Sequence, residues 1–370
     1  MPRMNFIDIY ESLEKEQLFN SLFQMVIGKF YTFKAFFEPS WSRRMAKCCA
    51  ISAAVIGLFP FFKDVVFSKQ VAKFYSKKDG QNTVKIPDLI QDLIVEEIEQ
   101  LMTMRKPESE ELMSKFRLPN VDPYINVKFF RVEGDTFKRL GSPRFLWLGR
   151  IGVPDIICFE NLNEITDAWL STWLRKSGIP KTVDSIDKDV LQQLKDTFVL
   201  SEEAKRFVLQ QQLHTIWALN WPLVFFTLTA LTGILISSLY QFFVNYFYRK
   251  KLIFIIRIFI IFYITSSLLS LYLFSLGKLK QFIARQGVVG ALSIGDDYQK
   301  GGVEFFEKCL HRNLILRDLL GNHGKQMFTS QGDKLPRWYE LPDLKLSEML
   351  QMAVTYVPNE EDKATWTIMF

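Results

Sequence analysis

Side chains that could bind a metal or act as nucleophiles are few in this sequence. The histidines are His214, His311 and His323, and none has a second histidine four residues away, the spacing that a zinc-binding helix needs. The cysteines form no Cys-X-X-Cys pair and no metal-like spacing; they are Cys48, Cys49, Cys158 and Cys309. The sequence therefore predicts no catalytic residue, no metal and no cofactor, and it favours small buried thiols over a disulfide framework.

The composition combines features of membrane and soluble proteins. Of the 370 residues, 48% are hydrophobic and 34 are phenylalanine, yet 23% are charged, so most of the chain is expected outside a bilayer. The net charge of +6 is modest, and no Arg and Lys stripe with interleaved aromatic residues indicates a nucleic-acid surface. We therefore predict a lipid bilayer and other proteins as partners, and no nucleic acid.

The elements that would position any site are organised around an apolar hairpin. No residue between Arg206 and Arg249 carries a formal charge, and a second apolar run follows the basic residues 249–251. Both runs exceed the roughly 20 apolar residues with which a helix crosses the hydrocarbon core. Two buried core helices are the alternative, but helices of soluble proteins normally keep one polar face. We predict two antiparallel transmembrane helices, 214–248 and 252–276.

The remaining segments predict a short first span and one soluble domain that the hairpin interrupts. Residues 1–44 have the apolar spacing of an amphipathic helical extension, and the apolar run within 45–62 predicts a first transmembrane helix. The soluble domain is predicted in two parts, 63–213 and 277–329, followed by an extended tail, 330–370, that is rich in breakers. The predicted fold class is an α+β membrane protein with three transmembrane helices and one soluble α+β domain.

The first part of the soluble domain contains the predicted strands. A helix is predicted to begin at residues 86–88, where Pro and Asp occupy the first turn, and to end near Met104. Alternating apolar and polar residues predict a strand over 124–132, and Gly134 predicts a turn after it. A further β pair is predicted across 145–159.

Two predicted helices flank the hairpin. Ser201, followed by two glutamates, predicts an N-cap with acids at the positive end of the helix dipole. Residues Val303 to Leu320 predict a second helix, which ends before Gly321. We expect these two helices to pack together outside the bilayer, although about a hundred residues separate them in the chain.

Sequence blocks on both sides of the hairpin resemble one known family. The blocks are Leu-Ser-Glu-Glu-Ala-Lys-Arg-Phe at 200–207, Gly-Gly-Val-Glu-Phe-Phe-Glu-Lys at 301–308 and Leu-Arg-Asp-Leu-Leu-Gly at 316–321. In this order they resemble the transmembrane protein 177 family. The resemblance implies a non-catalytic, multi-pass protein of the mitochondrial inner membrane. Such a protein supports cytochrome c oxidase biogenesis by stabilising subunit 2 and its assembly factor.

The resemblance also implies where partners would bind. The block at 301–308 is the candidate interaction surface, and its residues are Gly301, Gly302, Glu304, Phe305, Glu307 and Lys308. The alternative for the charged residues is a solvated helix edge without a partner.

The order of elements is also similar to that of membrane-embedded zinc peptidases with a His-Glu-X-X-His motif. In those enzymes the motif lies on the helix that enters the membrane hairpin. Here Gln211 and Thr215 occupy the metal-ligand positions and Gln212 occupies the position of the general base. An amide is a poor zinc ligand and cannot act as a carboxylate base. The hypothesis is a peptidase-like scaffold without metal or activity. The alternatives are a metallopeptidase-like protein with residual or unusual activity, and a coincidental order of helices.

Overall fold

The computed structural model describes most of the chain after residue 66. The described residues are 51–52, 55, 67–79, 82–116, 127–142, 148–179, 183–218, 221–249, 254–337 and 340–357. The predicted extension, 1–44, lies outside them. Of the predicted first span, 45–62, only Ile51, Ser52 and Val55 are described, and these three are helical.

The chain divides into two compact units. The first comprises Met1–Val66 and Phe225–Tyr272, and the second comprises Phe67–Val224 and Leu273–Phe370. The second unit therefore combines segments from before and after the apolar hairpin. In chain order, the helices and strands of the described residues are α1 (Ser68–Tyr75), β1 (Lys78–Asp79), β2 (Asn82–Thr83), α2 (Asp88–Phe116), β3 (Val127–Val132), β4 (Lys138–Ser142), β5 (Leu148–Pro154), α3 (Asp155–Cys158), α4 (Asp167–Lys176), α5 (Lys188–Asp196), α6 (Glu202–Ala218), α7 (Trp221–Arg249), α8 (Phe254–Leu292), α9 (Asp296–Leu319), α10 (Asn322–Met327) and α11 (Leu346–Thr355).

A small mixed sheet forms part of the second unit. Strand β5 lies between β3, to which it is parallel, and β4, to which it is antiparallel. Gly134 makes the predicted turn with φ of 106°, in the region that favours glycine. The strands on either side of this turn are not neighbours, because β5 separates them. Of the β pair predicted across 145–159, one strand is confirmed, Leu148–Pro154. The second strand is wrong, because Asp155–Cys158 forms a helical turn.

Two helical segments differ from their predictions. Helix α2 begins at Asp88 as expected, but it continues to Phe116, well beyond Met104. The tail predicted as extended contains helix α11, Leu346–Thr355. Apolar residues of α11 pack against the core of the second unit, a tertiary contact that local breaker residues do not reveal.

The helices of the hairpin are strongly apolar. Among the described residues, one helix is long and apolar enough to cross a membrane: Phe262–Leu292, with only 11% of its most apolar stretch buried. Val224–Leu239 is a shorter apolar stretch. Within the first unit, the hydroxyl groups of Thr229 and Tyr272 lie 2.6 Å apart and join the two helices. Such a bond between polar groups suits helices that are otherwise surrounded by apolar material.

The core of the second unit joins helices from both sides of the hairpin. Phe207 of α6 and Phe306 of α9 are fully buried, and their rings meet edge to face at 5.5 Å. Val288 and Ala291, from the last turns of α8, are also fully buried. Helices α6 and α9 form the most extensive helix–helix contact of the described residues. This confirms that the helices at Ser201 and Val303 pack together.

Candidate functional site

The contact between α6 and α9 depends on two glycines. A Cβ atom at Gly301 would lie 2.2 Å from the carbonyl oxygen of Glu203 and 2.8 Å from the amide nitrogen of Ala204. A Cβ atom at Gly302 would lie 3.0 Å from the ring of Phe207. Both glycines are buried. The pair therefore allows the two backbones to approach closely, and it belongs to the interior of the unit.

Charged residues of α9 hold the start of α6. Glu304 Oε1 accepts hydrogen bonds from the backbone N–H of Ser201 at 3.0 Å and from Lys308 Nζ at 2.7 Å. The Lys308 ammonium also donates to the carbonyl of Val199 at 2.5 Å. Partial burial opposes ionisation of Glu304, but the hydrogen bonds from Lys308 and Ser201 outweigh it and lower the pKa of Glu304. Ser201 is the predicted cap, since its Oγ accepts from the N–H of Ala204 at 3.1 Å.

The six residues of the predicted interaction surface thus have different environments. Gly301 and Gly302 are buried, and Phe305 is half-buried with its ring 6.5 Å from that of Phe207. Glu304 and Lys308 are engaged with the start of α6, as described above. Glu307 is exposed, and none of the ion pairs found among the described residues involves it.

An open groove lies between α9 and α11. It has a volume of about 490 Å³, and its lining residues are Gln299, Lys300, Val303, Glu304, Glu307 and Val354. Val354 is 58% exposed, so the groove presents apolar surface to solvent beside the Glu307 carboxylate. This combination suits contact with another protein, because apolar surface is buried on association while charge selects the partner.

Helix α6 also carries the three positions that were compared with a zinc-peptidase motif. Thr215 Oγ1 donates a hydrogen bond to the carbonyl of Gln211 at 2.6 Å. Thr215 is buried, whereas Gln211 and Gln212 are half-buried. Helix α8 passes so closely that a Cβ atom at Gly287 would lie 2.0 Å from Thr215 Oγ1. In the part of the chain that the structure describes, no group of three or more His, Cys, Asp or Glu residues could hold a metal ion.

Replacement of Gly287 with alanine tests this close packing. The added methyl group would overlap Thr215 Oγ1 and would lie 3.0 Å from the carbonyl of Gln211. We expect Gly287→Ala to lower the free energy of unfolding by about 2 kcal/mol. Thr215→Ala should lower the free energy of unfolding by less, because the Thr215 hydroxyl bonds only within α6. The double variant should recover about half of the stability that Gly287→Ala loses. Urea unfolding of the four proteins forms a double-mutant cycle, and additive effects would contradict the contact.

A buried polar cluster joins α2, α6 and α9. The carboxylate of Glu97, which is fully buried, accepts hydrogen bonds from Arg206 Nη1 at 3.1 Å and from the hydroxyl of Tyr298 at 2.9 Å. Gln210 Nε2 donates to the carbonyl oxygen of Glu97 at 2.8 Å. Burial raises the pKa of Glu97, against the opposing effect of the hydrogen bonds that its carboxylate accepts. Burial and the nearby Glu97 charge also raise the pKa of Tyr298.

The sequence interpretation did not identify this cluster. A signal was present, since Glu97 follows Leu93 by four residues and Ile94 by three, and it therefore lies on the buried face of α2. A carboxylate on such a face requires hydrogen-bonding partners. The pattern cannot identify those partners, because Tyr298 is 201 residues away.

A second buried carboxylate stabilises the sheet. Asp155 follows β5 and accepts hydrogen bonds from Lys77 Nζ at 2.9 Å, Arg131 Nε at 2.9 Å and Trp169 Nε1 at 3.1 Å. Two cations and an indole thus satisfy this carboxylate within the protein. Cys158 lies one turn later, and burial raises the pKa of its thiol to about 11. The thiol is therefore protonated at neutral pH and a poor nucleophile.

Comparison with known proteins decides the family. The sequence profile of one family, described as Transmembrane protein 177, matches residues 40–337. This range contains the apolar hairpin together with α6 and α9. The chain belongs to the transmembrane protein 177 family. It is therefore a membrane protein, in agreement with the exposed apolar helix Phe262–Leu292.

Individual relatives align over short segments. Transmembrane protein 177 of Rattus norvegicus is 42% identical over 65 residues, which cover 16% of this chain and 21% of the rat protein. The Homo sapiens protein is 49% identical over 45 residues, covering 12% of this chain and 14% of the human protein. The Danio rerio protein is 35% identical over 65 residues, with 18% and 21% covered. The aligned segments thus span about a fifth or less of these curated relatives.

The match to the transmembrane protein 177 family includes α9 but not α11. It ends at residue 337, so helix α11 lies beyond it, whereas α9 and the residues around Asp333 lie within it. No solved structure matches this chain.

Proposed function

We propose that this chain is a non-catalytic factor of the mitochondrial inner membrane that supports cytochrome c oxidase biogenesis. In this role it stabilises subunit 2 and the assembly factor of that subunit through protein contacts. The observation that carries the proposal is the family match over residues 40–337, which joins both sides of the hairpin in one alignment. The proposal includes three transmembrane helices, at 45–62, 214–248 and 252–276.

The arrangement around α6 supports a role without catalysis. The positions that would hold a peptidase zinc ion are Gln211 and Thr215, and Gln212 replaces the carboxylate base. The close approach of Gly287 leaves little space beside Thr215 for a metal ion. Elemental analysis of the purified chain gives a direct test, since zinc bound at one ion per chain would contradict this part of the proposal.

The exposed groove between α9 and α11 supports a role in protein contact. Glu307 is the acid of this groove that is free to meet a cationic partner residue, while Glu304 and Lys308 are occupied at the start of α6. We therefore place the contact with the oxidase assembly machinery at the exposed side of α9.

Affinity purification from mitochondria tests the proposed role. The tagged full chain, extracted in mild detergent after labelling of newly made mitochondrial proteins, should recover labelled subunit 2 and its assembly factor. Glu307→Arg should reduce this recovery at least fivefold while leaving the amount of the chain unchanged. Asp92→Arg, which reverses an exposed acid on α2, is the matched control and should have no effect. Recovery of the chain without subunit 2 or its factors would overturn the proposal.

A further inference from the structure

One exposed face of helix α1 is apolar. Phe67 and Phe74 are 50% and 80% exposed, and with the half-buried Val71 they follow the spacing i, i+4 and i+7 of a single helix face. Ser68 and Ala72 lie on a neighbouring face and are buried, because α1 packs there on strands β4 and β5. The three apolar side chains therefore form a contiguous exposed patch, and such patches mark sites of contact with a protein or a membrane.

Lysines border this apolar face of α1. Lys69 and Lys73 are exposed on the helix itself, one turn apart. Lys138 of β4 lies beside the last turn of α1, with its ammonium group 5.6 Å from the centre of the Tyr75 ring. None of the ion pairs found among the described residues involves these three lysines. The surface around α1 therefore combines exposed aromatic rings with positive charge.

Contacts within the second unit connect this surface to the apolar helix α8. Arg139, the neighbour of Lys138, lies close enough to Asp343 for their charges to interact, and Asp343 forms an ion pair with Lys280 of α8. Phe274, which is 62% exposed, precedes Lys280 by less than two turns of α8. The basic surface is thus linked to the part of α8 in which exposed apolar residues give way to charged ones.

We propose that α1 is an in-plane membrane anchor that binds anionic phospholipids at the bilayer surface. Phe67 and Phe74 insert between the lipids at the level where the acyl chains begin. Lys69, Lys73 and Lys138 bind the lipid phosphates. An amphipathic helix with large apolar residues on one face and lysines beside it lies along the interface in this way, and its binding depends on anionic lipid.

Two observations favour the bilayer over a protein partner. The chain is a membrane protein, so the unit that carries α1 is tethered near lipid without any further partner, and tethering raises the effective concentration of the surface. The predicted first span, 45–62, also ends only a few residues before Phe67, which would bring α1 to the surface where that span emerges. This second observation rests on the proposed function, whereas the contacts of α1 do not.

A fluorescent probe at residue 74 tests the anchor. The full chain carries Phe74→Cys together with Cys48→Ser and Cys49→Ser, while Cys158 and Cys309 are buried and escape labelling. The chain is labelled with nitrobenzoxadiazole and placed in nanodiscs of phosphatidylcholine, with or without one quarter of phosphatidylglycerol. A nitroxide near the top of the lipid acyl chains should quench the probe at least threefold in the anionic discs and less than twofold in the neutral discs.

Val95→Cys provides a matched probe position. Val95 is 53% exposed, similar to Phe67. Its neighbour Glu96 pairs with Arg206 near the start of α6, whereas the hairpin follows the end of that helix. A probe at this position should show no quenching in either kind of disc.

Charge reversal tests the role of the lysines. Lys69→Glu with Lys73→Glu should reduce quenching of the residue-74 probe in anionic discs to the level of neutral discs. Lys188→Glu with Lys325→Glu reverses two exposed lysines on α5 and α10 and should leave the quenching unchanged. Phe67→Cys is a second probe position on the same face, and each labelled chain should keep the circular dichroism of the wild type.

Three outcomes would overturn the proposal. The first is a probe on α1 that stays in water in both kinds of disc. The second is equal quenching in neutral and anionic discs, which would contradict binding of lipid phosphates by the lysines. The third is a shielded probe that no lipid nitroxide quenches, which would assign the face to a protein contact. Because the purified chain is studied alone, none of these outcomes depends on recovery of oxidase subunit 2.

Discussion

Replacing Gly301 with alanine is expected to lower the free energy of unfolding of the second unit by about 2 kcal/mol. The new Cβ atom would lie 2.2 Å from the carbonyl oxygen of Glu203, a backbone atom that cannot move without shifting α6. Overpacking of this kind costs up to about 3 kcal/mol, and the better helix propensity of alanine returns about 1 kcal/mol. The net effect remains destabilising because the atoms that the new methyl group meets belong to the main chain of α6.

The neighbouring glycine provides the matched control. A Cβ atom at Gly302 would meet only the ring of Phe207 at 3.0 Å, and the ring can shift by a few tenths of an ångström. Gly302→Ala should therefore change the stability by less than about 1 kcal/mol, since helix propensity offsets most of the strain. Pulse proteolysis of the full chain in urea measures both variants. Equal effects of Gly301→Ala and Gly302→Ala would contradict the close approach of α6 and α9 at Gly301.

Removing the guanidinium of Arg206 is expected to destabilise the second unit by about 3 kcal/mol at pH 7. Arg206→Met keeps an apolar chain of similar length, but it leaves the fully buried Glu97 carboxylate without its cation. Breaking a buried ion pair costs about 3–5 kcal/mol, and the partial exposure of Arg206 places the effect at the lower end. Lys176→Met is the control, because it removes an exposed ion pair with Glu133 and should cost less than about 1 kcal/mol.

The effect of Arg206→Met should depend on pH with a defined sign. Burial raises the pKa of Glu97 above its ordinary value, so the folded state binds this proton more tightly than the unfolded state. The contribution of Glu97 to stability is therefore full below its unfolded pKa and is lost as pH rises through its folded pKa. Without Arg206 the folded pKa rises further, so the variant should approach the wild type as the pH is lowered from 8 to 5.

A second substitution identifies Glu97 as the origin of that pH dependence. Glu97→Gln in the Arg206→Met background removes the uncompensated charge and should recover most of the lost stability at pH 8. The double variant should also show little change between pH 5 and pH 8. Thermal unfolding at both pH values measures these effects in the wild type, Arg206→Met, the Lys176→Met control and the double variant. A loss of stability that is independent of pH in Arg206→Met would assign the effect to lost packing of its side chain.

The candidate site was predicted from the sequence only in part. The block at 301–308 was predicted as an interaction surface on α9. The sequence pattern could not show that the fold buries Gly301 and exposes Glu307. Both residues lie in the same helical block, and only the position of α6 decides which of them meets solvent. The positions Gln211 and Thr215 were identified from helix order, whereas their contact with Gly287 requires the path of α8.

The sequence by itself determined the apolar hairpin, the cap at Ser201 and the pairing of the helices on either side of the hairpin. The hairpin and the cap follow from charge-free length and from residue types at a helix end. The pairing follows from the hairpin, because an antiparallel hairpin brings its two flanking helices to the same side. Such signals are local, since each is complete within about 30 residues. The family resemblance rests on the same segments, and the profile match agrees with it.

Only the tertiary structure decided the order of the strands in the sheet, the hydrogen-bond partners of Glu97 and the position of α11. Strand β5 separates β3 from β4, although a short turn connects these two in the chain. Glu97 meets Tyr298 across 201 residues, and α11 is held by Asp333 and Gln299. Periodicity shows which face of an element is buried, but not what covers that face. The covering partner depends on the shapes and polar groups of distant segments, which come together only when the chain folds.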